Sequence, residues 1–243
     1  MSVPTHDGRR NHVLAALPEP FYRACLRELV PEDLTSGQVL FAHNEPIETV
    51  YFPLGAVASL LTPMADGRRV ESATVGREGI VGLPVFLQTF HSLPMDAVVQ
   101  VAGPALCLDA PAFRRVVDDV DGPLAGLLHR YTQALFTQLS QNVACNRLHG
   151  VQQRCARWLL MTADRVDSDQ FRLTHDFLAQ MLGVRRASVT GVAGRLARSG
   201  ALTYTRGLVT VLDRGLLEQA SCECYAVLTA AARELLTPGD STA

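Results

Sequence analysis

Two sets of side chains in this sequence have the residue types and the spacing to carry chemistry. The first set consists of arginine, serine and threonine residues between positions 173 and 206, which are types that bind the phosphates and base edges of duplex DNA. The second set consists of two pairs, Cys145 with His149 and Cys222 with Cys224, whose soft donor atoms suit zinc or a thiol switch.

The sequence does not bring the two cysteine pairs together. Cys145 and His149 are four residues apart and would share one face of a helix, but Cys222 and Cys224 come much later in the chain. The simpler interpretation is a buried Cys–His hinge followed by an unrelated C-terminal helix of small residues. We therefore expect no metal and no cofactor, and these four residues are the candidates if the chain senses metal or redox state.

The first set requires two helices joined by a sharp turn, and residues 173–198, LTHDFLAQMLGVRRASVTGVAGRLAR, have that pattern. Thr174 can cap a first helix, and Gly183 supplies the positive φ with which a chain leaves a helix abruptly. The second helix has apolar residues at three- and four-residue intervals, which predict one buried stripe. That stripe consists of Val189, Val192, Ala193 and Leu196. Two packed helices of an ordinary α-helical domain would show the same stripe.

The opposite face of the second helix is nearly bare. It carries Ala187, Thr190, Gly191, Gly194 and Arg198. Glycine inside a helix costs about 1 kcal/mol relative to alanine, and short side chains would let the helix axis lie close to the floor of a DNA groove. The predicted DNA-contacting residues are Thr174, Arg185, Arg186, Ser188, Thr190, Arg195 and Arg206.

A β-hairpin is predicted directly after the second helix. Residues 202–205 and 208–212 are β-prone runs joined through Arg206 and Gly207, and an arginine at the tip of such a wing can reach phosphate or the minor groove. Residues 151–215 carry ten arginines and five aspartates, although the whole chain has a net charge of −2. Such a local basic excess is typical of a DNA-binding module.

The composition indicates a globular protein of a reducing compartment. With 243 residues and 48% hydrophobic content, the chain can bury two modest cores. No apolar run approaches the roughly 20 residues that span a bilayer, and the N-terminus lacks a signal peptide, so we expect a cytoplasmic protein without a membrane partner. Six cysteines without a disulfide-framework spacing suit that compartment. The sequence motifs of P-loop, serine-hydrolase and zinc-protease sites are missing, so we expect no enzyme.

Residues 34–109 have the pattern of a β-rich domain. Short strand-like runs are separated by glycine, proline and Asp-Gly turns, of which Asp66-Gly67 is the clearest. The runs are residues 38–42, 49–53, 56–61, 70–75 and 98–108. This predicts an α+β fold that begins with an antiparallel β-roll or jelly roll, with short helices before it in residues 11–30.

A long helix is predicted over residues 122–144, between the two domains. Its three- and four-residue apolar spacing favours a coiled-coil-like dimer seam, in which a polar residue fixes the register. The predicted dimer-interface residues are Leu124, Leu128, Tyr131, Leu135, Leu139 and Asn142. The alternative is that this stripe packs onto strands of its own chain.

With this order of elements, the chain resembles the Crp/Fnr family of bacterial transcription regulators over residues 10–215. The resemblance is carried by SGQVLFAHNEPIETVYFPLGAVASLL and VGREGIVG in the roll and by LTHDFLAQMLGVRRASVTGVAGRLARSGALTYTRGLVTVLD in the C-terminal part. It implies a homodimer, paired through the long helix, whose recognition helices enter successive major grooves of a near-palindromic site. It also implies that Thr174 and Ser188 contact phosphate and that Arg186 reads a guanine. Ala187 and Gly191 replace base-reading residues of well-known members, so their operator sequence does not transfer.

The predicted effector pocket departs from that family. Members that bind cyclic nucleotides hold the phosphate with an Arg-Ser-Ala or Arg-Thr-Ala triplet, and the matching triplet here is Met95, Asp96 and Ala97. A carboxylate in that place repels the phosphate that an arginine would bind. Glu78 belongs to the same pocket. The neighbouring cations that could compensate are Arg68, Arg69, Arg77 and His91. We therefore expect a degenerate pocket, an unknown effector and no control by cyclic nucleotide.

These predictions divide the chain into four regions. They are a roll domain in residues 1–121, a dimerisation helix in 122–145, a winged helix-turn-helix in 146–215, and a C-terminal helix and tail in 216–243. The expected function is that of a transcription regulator that binds double-stranded DNA as a homodimer and contacts RNA polymerase. The alternative is a ligand-binding sensor that acts through protein contacts and has little specific affinity for DNA.

Overall fold

The computed structural model describes residues 6–87, 94–117 and 122–234. Its N-terminal domain is an antiparallel β-roll of two sheets that enclose one core. The strands are β1 (Val30–Leu34), β2 (Val39–Phe41), β3 (Thr49–Pro53), β4 (Val57–Pro63), β5 (Arg69–Val75), β6 (Asp96–Val101) and β7 (Gly103–Asp109). One sheet has the order β1-β7-β3 and the other has the order β2-β6-β4-β5. The predicted fold class and its β-roll are confirmed.

Two details of the roll differ from the prediction. Residues 98–108 are not one strand, because the chain crosses from one sheet to the other at Ala102 and Gly103. A Cβ atom added at Gly103 would lie 2.7 Å from the backbone nitrogen of Ala56, so this crossing needs glycine. The predicted first helix does not reach Val30, which instead begins the edge strand β1, where Pro31 is tolerated.

Short helices cover the roll. They are a 3-10 turn (Gly8–Arg10), α1 (His12–Ala15), α2 (Glu19–Glu28), α3 (Pro84–Leu87) and α4 (Ala110–Val117). Asn11 joins α1 to the roll. Its side-chain oxygen accepts bonds from the backbone of α1, and its side-chain nitrogen donates to Pro53 O and Gly79 O at 3.1 and 2.8 Å.

The long helix α5 (Pro123–Leu148) leads from the roll into the C-terminal domain. That domain contains α6 (Val151–Val166), β8 (Gln170–Arg172), α7 (His175–Leu182), α8 (Arg186–Arg198), β9 (Leu202–Thr205), β10 (Leu208–Val211), α9 (Arg214–Ala220) and α10 (Cys224–Glu234). Its core continues onto the outer face of the roll, where Val57 and Val101 share one cluster with Trp158 and Leu159 of α6. The two domains are therefore packed directly on each other.

The apolar stripe of α5 faces its own chain, and this corrects the predicted dimer interface. Leu124, Leu128 and Tyr131 are buried in the core of the roll. Tyr131 donates to Ile80 O at 3.2 Å, and a Cβ atom at Gly79 would overlap its ring. Leu135 and Leu139 are partly buried against the same core.

Asn142, the last residue of that predicted interface, is also occupied within its own chain. It donates to Ser72 O at 2.8 Å and accepts a bond of 2.7 Å from Arg157 Nη1. The predicted periodicity of α5 is correct but the predicted partner is not, because a same-chain sheet and a second helix select the same spacing. Phe136 and Val143 remain exposed on one face of α5, and Leu148 is exposed at the end of the helix.

Candidate nucleic-acid interface

The turn between α7 and α8 is built by the local residues that the sequence singled out. Thr174 Oγ1 accepts a bond of 3.2 Å from Phe177 N and so caps α7. Gly183 ends α7 with φ +63°, in the left-handed region that favours glycine. Arg185 follows as the N-cap residue of α8. These caps fix the angle at which α8 leaves α7.

The two faces of α8 are sharply different. Val189, Val192, Ala193 and Leu196 are buried, as predicted. The outer face is exposed at Ala187, Ser188, Thr190, Gly191 and Arg198. A Cβ atom added at Gly191 would meet only Arg195 Nη1 at 3.6 Å, and one at Gly194 only Arg198 Nη1 at 3.5 Å. Packing inside the chain therefore requires neither glycine.

The predicted cationic contacts lie around this bare face. Arg185 and Arg186 are exposed at the N-terminus of α8, and Arg186 Nη1 lies 3.2 Å from the carboxylate of Asp176, with both side chains 67% exposed. Arg195 donates from Nε to Gln152 Oε1 at 2.8 Å. An exposed ion pair of this kind contributes only about 0–1 kcal/mol to stability, so Arg186 is free to exchange its partner for a phosphate or a base.

The wing is a hairpin with a two-residue turn. β9 and β10 pair antiparallel from Leu208 opposite Thr205, and β8 adds a third strand beyond β10. Arg206 and Gly207 form the tip with φ of +51° and +76°, the signs that a type I′ turn requires. Arg206 is exposed at that tip.

His175 connects the wing to α8, although no sequence motif marked it as a site residue. Its Nδ1 lies 3.0 Å from Thr190 Oγ1, and its ring contacts the Tyr204 ring of the wing in a tilted arrangement with a centroid distance of 4.3 Å. Tyr204 in turn donates to Leu173 O. Burial, with the nearby Arg186 cation, lowers the pKa of His175, which favours the neutral ring between these partners. Only the position of His175 beside the predicted cap, Thr174, could have drawn attention to it.

The region that matches the effector pocket is closed by internal ion pairs. Asp96 is buried at the start of β6, where it accepts from His43 N and His43 Nδ1, both at 2.8 Å, and lies 3.4 Å from Arg69 Nε. Burial acts to raise the pKa of Asp96, but the bonds from His43 and the Arg69 charge outweigh it and hold that pKa below its usual value. Ala97 beside it is fully buried, and Met95 is partly buried against the core of the roll.

Glu78 and the remaining cations of this region are paired as well. Glu78 accepts a bond of 2.7 Å from Arg165 of α6, Arg77 lies 3.1 Å from Asp167, and Arg68 pairs with Asp66. His91 lies outside the described residues. No described arginine of this group is thus left unpaired to replace the arginine of a cyclic-nucleotide site.

A cleft of about 490 Å³ opens between the roll, α6 and α10. Its lining includes both signs of charge, from Arg77, Asp164, Arg214 and Glu78, together with the hydroxyl of Tyr225. Arg214 and Tyr225 bond to each other and both bond to Asp164, so these polar groups already have partners across the cleft.

The cysteine pairs that the sequence left separate do meet. One donor atom each of Cys145, His149, Cys222 and Cys224 lies within 4.8 Å of the other three. No sequence motif indicates this approach, because it depends on α10 folding back along α5.

In the ranges that the structure describes, none of the helices is long and apolar enough to cross a membrane.

Comparisons with known proteins agree with this architecture in both domains. The family model of the cyclic nucleotide-binding domain matches residues 31–119, and that of the Crp-like helix-turn-helix domain matches residues 153–220. No curated protein matches the chain by sequence.

Solved structures have the same fold at low sequence identity. FixK2 from Bradyrhizobium japonicum is 16% identical with a TM-score of 0.66, and the match covers 80% of this chain and 98% of that one. A CRP-family transcriptional regulator from Thermus thermophilus is 18% identical with a TM-score of 0.65, over 78% and 96% of the two chains. The c-di-GMP-responsive global regulator CLP of Xanthomonas campestris is 14% identical with a TM-score of 0.62, over 80% and 99%. With both family models matched in this order along one chain, the protein belongs to the Crp/Fnr family of transcription regulators.

Proposed function

We propose that this chain is a sequence-specific DNA-binding regulator of transcription that acts as a homodimer on a near-palindromic site. The observation that carries the proposal is the outer face of α8. Two interior glycines cost about 1 kcal/mol each relative to alanine, and internal packing requires neither Gly191 nor Gly194. A surface that must approach the floor of a major groove explains their size, and the arginines at its edge supply phosphate and guanine contacts.

The exposed face of α5 is the proposed dimer interface. His129, Phe136 and Val143 follow one another at seven-residue intervals on this face, and Phe136 and Val143 are 70% and 73% exposed. A seven-residue repeat is the spacing of a two-stranded coiled coil. A parallel pair of α5 helices would hold two copies of α8 side by side, as a near-palindromic site requires.

Control by cyclic nucleotide is not part of the proposal. This is supported by Asp96, which stands in the triplet that resembles the family's phosphate-binding triplet and is buried with His43 and Arg69 as its partners. We propose that the protein acts by binding DNA, that its effector belongs to another class or is absent, and that RNA polymerase is its protein partner.

The experiment that tests this function is selection of bound duplexes from a randomised DNA pool by the purified chain without added ligand. Enrichment of an inverted repeat with half-site centres about 10 bp apart, one helical turn, is the expected result. If no motif is enriched, even after cell extract is added to supply an effector, the chain is a sensor that acts through protein contacts and the proposal is wrong.

A further inference from the structure

Four soft donor atoms converge where α5 ends. Cys145 and His149 lie one helical turn apart at the C-terminal end of α5, Cys222 lies between α9 and α10, and Cys224 is the first residue of α10. All four donor atoms are within 4.8 Å of one another, and the three thiols form a small buried cluster of their own. These residues come from both sides of the junction between α5 and the DNA-binding domain.

Two of the six distances between the donor atoms match a tetrahedral metal complex, and the others are no longer than 4.8 Å. With Zn–S bonds of about 2.3 Å and a Zn–N bond of about 2.05 Å, tetrahedral geometry places two sulfurs about 3.8 Å apart and a sulfur and a nitrogen about 3.6 Å apart. Cys145 Sγ and Cys222 Sγ are 3.6 Å apart, and Cys224 Sγ and His149 Nδ1 are 3.5 Å apart.

The groups around the four donors are those that orient metal ligands. His149 Nε2 lies 3.2 Å from the carboxylate of Glu223, so this nitrogen can donate to Glu223 while Nδ1 faces the cluster. Metal-bound histidines usually have such a carboxylate partner, which fixes the ring and its tautomer. Gln141 Nε2 donates to Cys224 Sγ at 3.1 Å, so this sulfur is also held in place from α5.

Two arginines near this cluster, the partly buried Arg154 and the buried Arg157, have a charge opposite in sign to that of such a complex. Three thiolates, a neutral imidazole and a divalent ion leave one negative charge. Arg154 and Arg157 both interact electrostatically with Cys145. The Nε atom of each is buried and has no hydrogen-bond partner among the described residues. A thiolate complex beside them would supply the charge that these groups lack.

We propose that Cys145, His149, Cys222 and Cys224 bind one zinc ion in a closed, tetrahedral Cys3His site. Binding forms three Zn–S bonds and one Zn–N bond, and each thiol gives up its proton to solvent, so about three protons are released per ion. No oxidant or reductant is involved. The ion ties the end of α5 to the α9–α10 segment and so stiffens the junction between the dimer helix and the DNA-binding domain.

The test is metal binding by the full-length chain, independent of DNA. Chain purified under reducing conditions without chelator should contain about one zinc per chain. After removal of zinc, titration with Co²⁺ should give the visible bands of a tetrahedral complex and thiolate-to-metal charge transfer, saturating at about one equivalent, and Zn²⁺ should displace the Co²⁺. Zinc should also raise the midpoint of thermal unfolding.

Three variants make the test decisive. Cys222→Ser should lose the tetrahedral spectrum, whereas Cys107→Ser, which changes a thiol on β7 of the roll, should keep it. Glu223→Gln changes an exposed side chain, so folding is retained, and it should weaken zinc binding about 10- to 100-fold. The proposal is overturned if Co²⁺ gives no tetrahedral thiolate spectrum or if Cys222→Ser binds as the parent chain does. It is overturned equally if the chain binds no metal and forms a Cys145–Cys222 disulfide in air, since the cluster would then be a thiol switch.

Discussion

The indole Nε1 of Trp158 donates a hydrogen bond of 3.0 Å to the carboxyl group of Glu71. Trp158 belongs to α6 and Glu71 to β5, so this bond joins the DNA-binding domain to the roll. The other carboxyl oxygen of Glu71 lies 2.7 Å from Ser59 Oγ, which is 2.8 Å from Gln100 Oε1. One hydroxyl proton cannot serve both acceptors, whereas a neutral Glu71 that donates to Ser59 satisfies both contacts. Burial raises the pKa of Glu71 to about 7, in agreement with this arrangement.

We predict that the free energy of unfolding falls as the pH rises from about 4.5 to about 7, because the folded chain binds the Glu71 proton more tightly than the unfolded chain does. The stabilising contribution is complete below the unfolded pKa of 4.5 and is lost as the pH passes the folded pKa of about 7. The full shift corresponds to on the order of 3 kcal/mol. Glu71→Gln keeps a donor for Ser59 and an acceptor for Trp158 but cannot titrate. The free energy of unfolding of this variant should therefore lack the decrease with pH that Glu71 causes.

Urea unfolding at several values between about pH 5 and pH 8 measures this difference. Glu45→Gln removes an exposed carboxyl group from the same domain and should follow the parent chain. A decline in Glu71→Gln as large as that of the parent would show that another group controls the pH dependence.

Substitutions of Gly191 are predicted to affect the stability of the chain and its affinity for DNA in different ways. Gly191→Ala should stabilise the chain by about 0.5–1 kcal/mol, since the helix gains propensity and the new Cβ meets only Arg195 Nη1 at 3.6 Å. Gly191→Leu should be folded and stable but should bind the selected DNA site at least about tenfold more weakly, because its side chain stands between α8 and the groove. Thermal unfolding and DNA titration of the same samples check both statements, and undiminished affinity in Gly191→Leu would place the DNA on another surface.

Arg186 and Arg206 are predicted to contribute to DNA binding in different ways. Arg186→Ala should cost about 1–3 kcal/mol on the selected site and relax the preference at one base position, because this arginine can bind a guanine edge. Arg206→Asn should weaken binding to all sequences alike, because it removes a phosphate contact. It should also reduce the slope of log K against log salt concentration by about one. Asparagine also tolerates the φ of +51° at this position, so the turn is kept.

Titration of selected and random duplexes at several salt concentrations distinguishes the two arginines. Arg23→Ala removes an exposed arginine of α2, far from α8, and should bind both duplexes as the parent chain does. Equal losses on both duplexes for Arg186→Ala would remove its assignment as a base-reading residue.

The helix-turn-helix and its wing could be predicted from sequence because local residues determine them. The cap at Thr174, the positive φ at Gly183 and the Arg206-Gly207 turn each depend on near neighbours in the chain. The apolar stripe of α8 likewise needs only its own spacing. His175 could not be predicted, because its role depends on Tyr204, which reaches it only through the folded wing.

Tertiary partners limited the other predictions. The spacing of Leu124, Leu128 and Tyr131 indicated a buried stripe but not which surface buries it, and the roll of the same chain proved to be that surface. Cys145 and Cys222 are 77 residues apart, and their approach depends on how α10 packs along α5. Periodicity and short-range motifs carry no information on either contact.

The corrected orientation of α5 leads to the last prediction, on the dimer. Val143→Asp should convert the homodimer to a monomer, because Val143 is 73% exposed on the outer face of α5 and a charge in an apolar seam is costly. Val39→Asp makes the same change at an exposed valine of β2, 54% accessible, and should leave the dimer intact. Sedimentation or light scattering of both variants at equal concentration measures the difference. Because Val143 has no part in the core of the roll, the Val143→Asp monomer should keep the thermal stability of its roll domain. A dimer that survives Val143→Asp and Phe136→Asp together would mean that the two copies meet through another surface.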